Sequence, residues 1–437
     1  MFQGRKPSMR CNRSMTRQAS GACLSGSDMM IRRLPISETA PNPGRRHLLA
    51  FRIALVLTLL VCSAVGRAEL ADMPDIMKFP SGLPEIGAKS WILADFNTGW
   101  VLGGENIDQR MEPASLTKLM TSYLVFEALK TGRLKEDDPV FVSHAAWKAV
   151  GSRMYIEVNT QVSVIDLLKG LIIQSGNDAA LALAEHLGGT EKGFAERMNR
   201  KAAELGMRNT RFQNSSGLPE PDHYSTLRDM TLLAISLIRD FPEYYKLYSE
   251  LEYTYNGITQ QNRNVLLTRD SAVDGIKTGY TRNAGYCLIG TANRDGFRLV
   301  AGVMGSRSRA VRANEVHSLM RFGYSVYEGV IAFKSNSRIA SVPLWLGRER
   351  EAPVGVSRNL GIPYPKGTRD KLSVALELPE GLEAPLPQGQ EVGHIRIKFD
   401  GKKVYGAPLH VLHDHAEGPW YRKIMDRIIR FAVELFD

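Results

Sequence analysis

The apolar and polar positions change period several times along the chain. "SWILADFNTGWVLGGEN", starting at Ser90, alternates as two strands joined by the turn signal Asn97-Thr98-Gly99. After Pro113, which suits the first turn of a helix, Leu116, Leu119, Met120, Tyr123 and Leu124 recur with helical spacing. Helical patterns then dominate to about Asp240. The clearest is "SVIDLLKGLIIQSGNDAALALAEHLGG", in which Gln174-Ser175-Gly176-Asn177 interrupts two apolar stretches and so falls in a buried or half-buried turn. "DGIKTGYTRNAGYCLIGTANRDGFRLVAGVMG" returns to strands with a hairpin turn at Asp295-Gly296, and a helix follows at about 310 to 330. Strands, helices, strands and a helix, in that order, predict a sheet with helices packed on it and a helical insertion between its strands.

Past Ser335 the pattern becomes short alternating runs broken by Gly and Pro ("RIASVPLWLG", "KLSVALELP", "HIRIKFDGKKVYGAPLHVL"), which predicts a small all-β domain of sandwich type. The end of the chain, from Trp420, is helical in period. It gathers Tyr421, Ile424, Met425, Ile428, Ile429, Phe431, Ala432, Leu435 and Phe436 on one face, with Arg422, Lys423, Asp426, Arg427, Arg430 and Glu434 opposite. Such a helix either packs on a neighbour or lies in a membrane surface. Its terminal position, aromatic residues and flanking basic residues favour the membrane, and it is too polar to span one. The resulting division is 1–68 leader and signal peptide, 69–85 linker, 86–333 main domain, 336–415 β-domain and 418–437 amphipathic membrane-anchoring helix.

Charge changes one inference. The formal net charge of +10 suggests an acidic partner, but residues 1–68 hold eleven Lys and Arg against Asp28 and Glu38. That leader carries +9, leaving +1 for the rest, so the body gives no electrostatic case for nucleic acid. Within the leader, the apolar run from Ile53 to Val65 is too short to span a bilayer, and Gly66 and Ala68 are the small residues expected before a cleavage site. We therefore expect a secretory signal cut after Ala68, with Met29 or Met30 as alternative starts for an unusually long n-region. Cys11, Cys23 and Cys62 would leave with it. The lone Cys287 alternates like a buried strand residue, so an exported body without disulfides must rest on its core.

Candidate chemistry begins at "PASLTKLM". Ser115 and Lys118 share a helix face, near the positive end of a buried helix, and no other serine has a lysine three places downstream. Two Lys-Thr-Gly triplets occur. Lys130-Thr131-Gly132 closes a helix and reads as a cap, whereas Lys277-Thr278-Gly279 lies on a strand. Together, Ser115-x-x-Lys118, Ser175-x-Asn177 and Lys277-Thr278-Gly279 match the S-x-x-K, S-x-N and K-T-G set of penicillin-binding proteins and class A β-lactamases. Each residue type suits a step. Ser115 needs a base, and Lys118 can serve only if burial and a second cation such as Lys277 keep it neutral. The Ser175 hydroxyl can accept and donate, as a relay to a leaving amine. Asn177 offers an amide to substrate backbone. Lys277 and Thr278 can bind an anion, and Gly279 lets an extended substrate pair with the strand. The N–H groups of Ser115 and Tyr280 are the expected oxyanion donors.

The chain closely resembles the D-alanyl-D-alanine carboxypeptidases of the low-molecular-mass penicillin-binding protein type. The resemblance runs over roughly residues 84–437 through "LIIQSGNDA", "NGITQQNRN", "VDGIKTGYT", "AGY" and "VMGSRSRAVR". It implies an α/β (α+β) penicillin-binding/β-lactamase-like domain with an antiparallel sheet, followed by a small β-domain and a terminal amphipathic helix. It also implies removal of the terminal D-alanine from peptidoglycan stem peptides and acylation by β-lactam antibiotics, while the signal and the terminal helix lead us to expect a peripheral place on the periplasmic side of the inner membrane. By position, Arg263 and Arg312 match arginines of the family's active site, Arg312 being the better holder of the substrate carboxylate, and Tyr280 stands where a close relative type has histidine. Two rivals differ in class. A β-lactamase would need an E-x-x-L-N element, which Glu196-Arg-Met-Asn199 does not supply, and a non-catalytic wall-binding protein would have no use for all three catalytic side chains. No cofactor is assigned. His410, His413, Asp414 and His415 are expected to form a surface tract rather than a metal site, because no second ligand set appears in the sequence.

Overall fold

The computed structural model describes residues 70–78 and 82–436, so the leader and its cleavage site lie outside the described residues. Strand β1 (Ala71–Asp72) pairs in parallel with β3 (Trp100–Glu105), which pairs antiparallel with β2 (Ser90–Asp95). The expected linker is thus partly structured: Met73 and Met77 are buried there, and these two apolar anchors hold a short strand and a 3-10 turn (Asp75–Met77) against the body. The β2–β3 turn falls at Asn97-Thr98-Gly99, where the Asp95 carboxylate accepts from the Thr98 N–H and hydroxyl, both at 2.6 Å.

Strands β4 (Val273–Thr281), β5 (Gly285–Arg294) and β6 (Phe297–Ser306) complete a six-stranded sheet of order β1-β3-β2-β6-β5-β4, antiparallel except at β1. Side chains alternate between two cores. Ile92, Ala94, Ile289, Val300 and Met304 face one cluster, which holds the apolar residues of α1 (Lys118–Lys130), α2 (Asn177–Gly188), α3 (Glu191–Leu205) and α4 (Leu227–Asp240). Trp91, Leu93, Leu288, Leu299 and Val303 face the other, with Val316, Leu319 and Met320 of α5 (Arg309–Val326). Burial on both faces explains the nearly unbroken apolar run of β6. Helix α5 lies very close to the sheet at Gly323, where a Cβ would come within 2.5 Å of Leu299. Helices α1 to α4 are the predicted insertion between β3 and β4.

The chain leaves α5 directly into β7 (Tyr327–Phe333), which pairs with β10 (Leu360–Pro365), so strand pairing groups residues 327–333 with the β-domain. Strands β8 (Ala340–Trp345), β9 (Glu351–Gly355), β11 (Leu372–Glu377), β12 (Glu391–Phe399) and β13 (Lys402–Val411) form a sheet of order β11-β12-β13-β9-β8, with a short edge strand at Leu382–Glu383. Ile395, Ile397 and Phe399 join the core cluster that contains Trp91 and Trp100, and Trp100 meets Tyr405 edge-on at 5.9 Å. The β-domain is thereby packed against the main sheet rather than merely strung after it.

Helix α6 (Trp420–Phe436) ends the described chain. Its polar side faces the β-domain: Asp426 accepts from Leu346 N–H at 2.7 Å, and Arg422 donates to the carbonyls of Arg348 and Glu349. Its apolar face is bare, with Tyr421, Ile424, Met425, Ile428, Ile429 and Phe431 all exposed.

Candidate active site

The nucleophile candidate sits on a 3-10 turn, Ala114–Thr117, that leads into α1. Glu112, just before the turn, accepts from Thr281 Oγ1 and Asn283 Nδ2, each at 2.8 Å, and so clamps it to the end of β4. At Gly279 the strand passes so near that a Cβ would lie 3.3 Å from Ser115 N and from Pro113 O. The glycine of the second triplet thus eases this close approach of strand and turn.

Lys118 is fully buried one helical turn on, and its Nζ has three neighbours: Asn177 Oδ1 at 2.6 Å, the Ser216 carbonyl at 2.7 Å and Ser115 Oγ at 3.2 Å. Burial, and next the charge of Arg263, push its pKa down to about 7. A neutral amine has two N–H groups and one lone pair. The two carbonyl oxygens can only accept, so they take both N–H groups and leave the lone pair for the Ser115 hydroxyl. This polarity suits a base directed at Ser115.

Asn177 has a role beyond the expected one: its Oδ1 accepts from Lys118 at 2.6 Å and one N–H of its Nδ2 donates to the Val150 carbonyl at 2.6 Å, so it orients the base and keeps its second N–H. Lys277 is also buried, and its pKa lies well below the ordinary lysine value, through burial first and then the charge of Lys118. The cation acting most on Lys118 is Arg263, where the sequence suggested Lys277.

Ser175 follows a π-helical turn, Gly170–Gln174, and has a left-handed backbone with φ +65°. Its hydroxyl is buried without a hydrogen-bond partner. A non-glycine residue held in this way stores strain of about 1–3 kcal/mol, a pattern concentrated at functional sites. Ser115 and Ser175 line one cleft of about 320 Å³ together with Ser152, Asn262, Arg263, Val265, Thr278, Gly279, Tyr280, Arg309 and Arg312. Three arginines and no carboxylate in that lining suit an anion. Arg263 donates through Nε to the Gln174 carbonyl at 2.7 Å, and Arg312 through Nη1 to the Gly279 carbonyl at 3.0 Å. Each is thus braced while keeping N–H groups for a ligand. Burial pushes Arg312 down to about 10. Tyr280 is half exposed and rests on Tyr286, ring centroids 4.4 Å apart.

Sequence reasoning missed Arg309, Ser152 and Ser216. "NSSG" is a tight turn in which Asn214 Oδ1 accepts from Gly217 N–H at 2.7 Å, and at Gly217 (φ +84°) a Cβ would collide with the Ala114 carbonyl at 1.8 Å. That Asn-to-Gly signal was available, but not its target. Lys130 closes α1 and donates to the Asp240 carbonyl at 2.9 Å, with Gly132 at φ +70°, both remote from the cleft lining. Cys287 is buried, and burial pushes its pKa up to about 11, as suits a core residue. The expected surface histidine tract is not one throughout: His415 is buried, and Glu349, from a different segment, comes beside it and His413.

Comparison with known proteins places this geometry. Residues 77–308 match the family described as D-alanyl-D-alanine carboxypeptidase, and residues 327–417 match the C-terminal domain of penicillin-binding protein 5. The chain belongs to the D-alanyl-D-alanine carboxypeptidase family. It is 41% identical over 383 residues to D-alanyl-D-alanine carboxypeptidase DacA of Escherichia coli K12, covering 86% of this chain and 95% of that one. DacF of Bacillus subtilis is 34% identical over 75% of this chain and 85% of its own. Among solved structures, penicillin-binding protein 5 of Haemophilus influenzae aligns with a TM-score of 0.68 at 39% identity, over 77% of this chain and 100% of that chain. An ampicillin-bound penicillin-binding protein D2 of Listeria monocytogenes aligns with a TM-score of 0.52 at 33% identity, over 56% and 100%. The carboxypeptidase fold and enzyme class inferred from the three motifs are therefore those of the family, and acyl-enzyme chemistry and penicillin binding fit it.

With Lys118 as the base, the active form is the deprotonated one, and a pKa of about 7 predicts that the competent fraction rises as pH passes upward through 7. Acylation, read as kcat/KM for D-alanine release or as the rate constant of penicillin labelling, should fall about tenfold per pH unit on the acid side. A profile flat from about pH 5 to about pH 8 would mean that a group other than Lys118 accepts the proton.

Proposed function

We propose that Lys118 takes the Ser115 proton as Oγ attacks the carbonyl carbon of the penultimate D-alanine in a stem peptide. The Ser175 hydroxyl relays a proton to the departing D-alanine amine, and water then releases the acyl group. Lys277 supplies positive charge, while Arg312 and Arg263 hold the terminal carboxylate and Thr278 positions it. The N–H groups of Ser115 and Tyr280 receive the developing oxyanion. The observation that carries this reading is the polarity at Lys118 Nζ, with two carbonyl acceptors fixed and the third neighbour the Ser115 hydroxyl. Assays on a peptide ending in D-Ala-D-Ala and on nitrocefin test it. D-alanine release with slow nitrocefin turnover is expected. Fast nitrocefin turnover alone would indicate a β-lactamase, and neither activity a wall-binding protein.

The biological setting is also our proposal. We infer export by the signal ending at Ala68 and a role in peptidoglycan maturation and cell shape at the periplasmic face of the inner membrane. Among the described residues no helix is long and apolar enough to cross a membrane. The exposed apolar face of α6, with its polar side turned to the β-domain, supports an interfacial anchor. Deleting residues 418–437 should move the enzyme to the soluble fraction with kcat on a small soluble peptide unchanged, and Ile428→Asp should do so in part. Continued sedimentation of the truncated protein with membranes, or lost activity on that peptide, would return α6 to the fold.

A further inference from the structure

Glu349 lies in the turn between β8 and β9, and His413 and His415 follow β13. The fold brings them together so that one ligand atom from each lies within 4.8 Å of the others. Backbone pairing fixes both segments: Arg348 N–H donates to the Ala416 carbonyl at 3.1 Å, and His415 and Leu386 exchange hydrogen bonds at 2.8 and 3.0 Å. The two imidazoles stand 4.8 Å apart between centroids. His415 is only 3% exposed; its Nδ1 lies 2.5 Å from Glu349 Oε2, while its Nε2 is buried without a hydrogen-bond partner. A buried polar atom left in this state loses its hydration without return, whereas a metal ion would use the lone pair directly.

We propose that Glu349, His413 and His415 bind a divalent transition metal of the zinc type. Two imidazole nitrogens and one carboxylate oxygen suit zinc and its neighbours better than calcium or magnesium, which take oxygen ligands. Glu349 and His413 are exposed, so water can complete the coordination shell. The bound ion would tie the β8–β9 turn to the segment after β13. That turn also receives Arg422 and Asp426 of α6, so the ion would stiffen the root of the terminal helix. The competing account is a protonated His415 paired with Glu349, which needs no metal.

The test uses the full mature chain, stripped with a chelator and titrated with zinc chloride by calorimetry, with magnesium and calcium as controls. One saturable zinc site per chain is expected, with a rise in Tm of roughly 5 °C at about 100 times Kd. His413→Ala and Glu349→Gln should each weaken zinc binding by at least about tenfold, the lower bound known for mere outer-shell partners of a metal. His413, being exposed, should leave the metal-free Tm unchanged when replaced. Absence of a saturable site, or variants that bind zinc as tightly as the parent, would overturn the proposal and leave the ion pair.

Discussion

Replacing Ser115 with alanine should abolish D-alanine release and leave the melting temperature of the protein unchanged. The side chain lost is a hydroxyl on a turn that is held by other groups, chiefly Glu112 through Thr281 and Asn283, and by contact of the turn with Gly279. Its Oγ makes one contact of note, with Lys118 Nζ at 3.2 Å, and Nζ keeps its two shorter partners when Oγ is lost. Its expected chemistry, by contrast, has no substitute: Ser175 also lines the cleft, but the hydrogen-bond partners of Lys118 Nζ are Ser115, Asn177 and Ser216. Residual release within about tenfold of the parent would assign nucleophilic attack elsewhere, since removal of a nucleophile that acts as part of a unit costs several orders of magnitude.

The next largest effect separates the two lysine triplets. Lys277→Ala should lower kcat/KM by orders of magnitude, because one preorganised group directed at developing negative charge is worth ~3 kcal/mol or more in a site closed to water. Lys277 is buried on the cleft strand β4, where burial and then the charges of Lys118, Arg263 and Arg312 lower its pKa. Lys130→Ala should be nearly silent in catalysis, since Lys130 is exposed and its ammonium caps the Asp240 carbonyl. Steady-state kinetics on a D-Ala-D-Ala peptide decides between them. Equal losses in the two variants would show that the first triplet is more than the end of a helix.

Features with a local cause were legible in the sequence. Strands β2 and β3, helix α1 and the exposed stripe of α6 follow from hydrophobic period, and Ser115 with Lys118 from spacing on one turn. What escaped depends on contacts across long separations. Ser216 is nearly a hundred residues from Lys118 in sequence, and its contribution is a carbonyl, which no residue type advertises. Asn177 was recognised as part of the site but its hold on the base was not, because only the fold shows that its Oδ1 meets Lys118 and one of its N–H groups the Val150 carbonyl. Arg309 opens a helix among several arginines, and nothing in its neighbours distinguishes it before the cleft is built. Met73 and Met77 lie too near a proline and too few in number to announce a strand, yet they dock the stretch expected as a linker. Glu349 and His415 are separated by most of the β-domain, so the histidine tract read as solvated surface until a carboxylate from another turn came beside it.

The central claim is that Ser115 is acylated with Lys118 as its base. Intact-mass spectrometry of the protein after benzylpenicillin, followed by peptide mapping, tests it most directly. The account predicts a single retained penicilloyl group carried by Ser115. A chain that retains no acyl group, or carries it on Ser175 or any other residue, would contradict it.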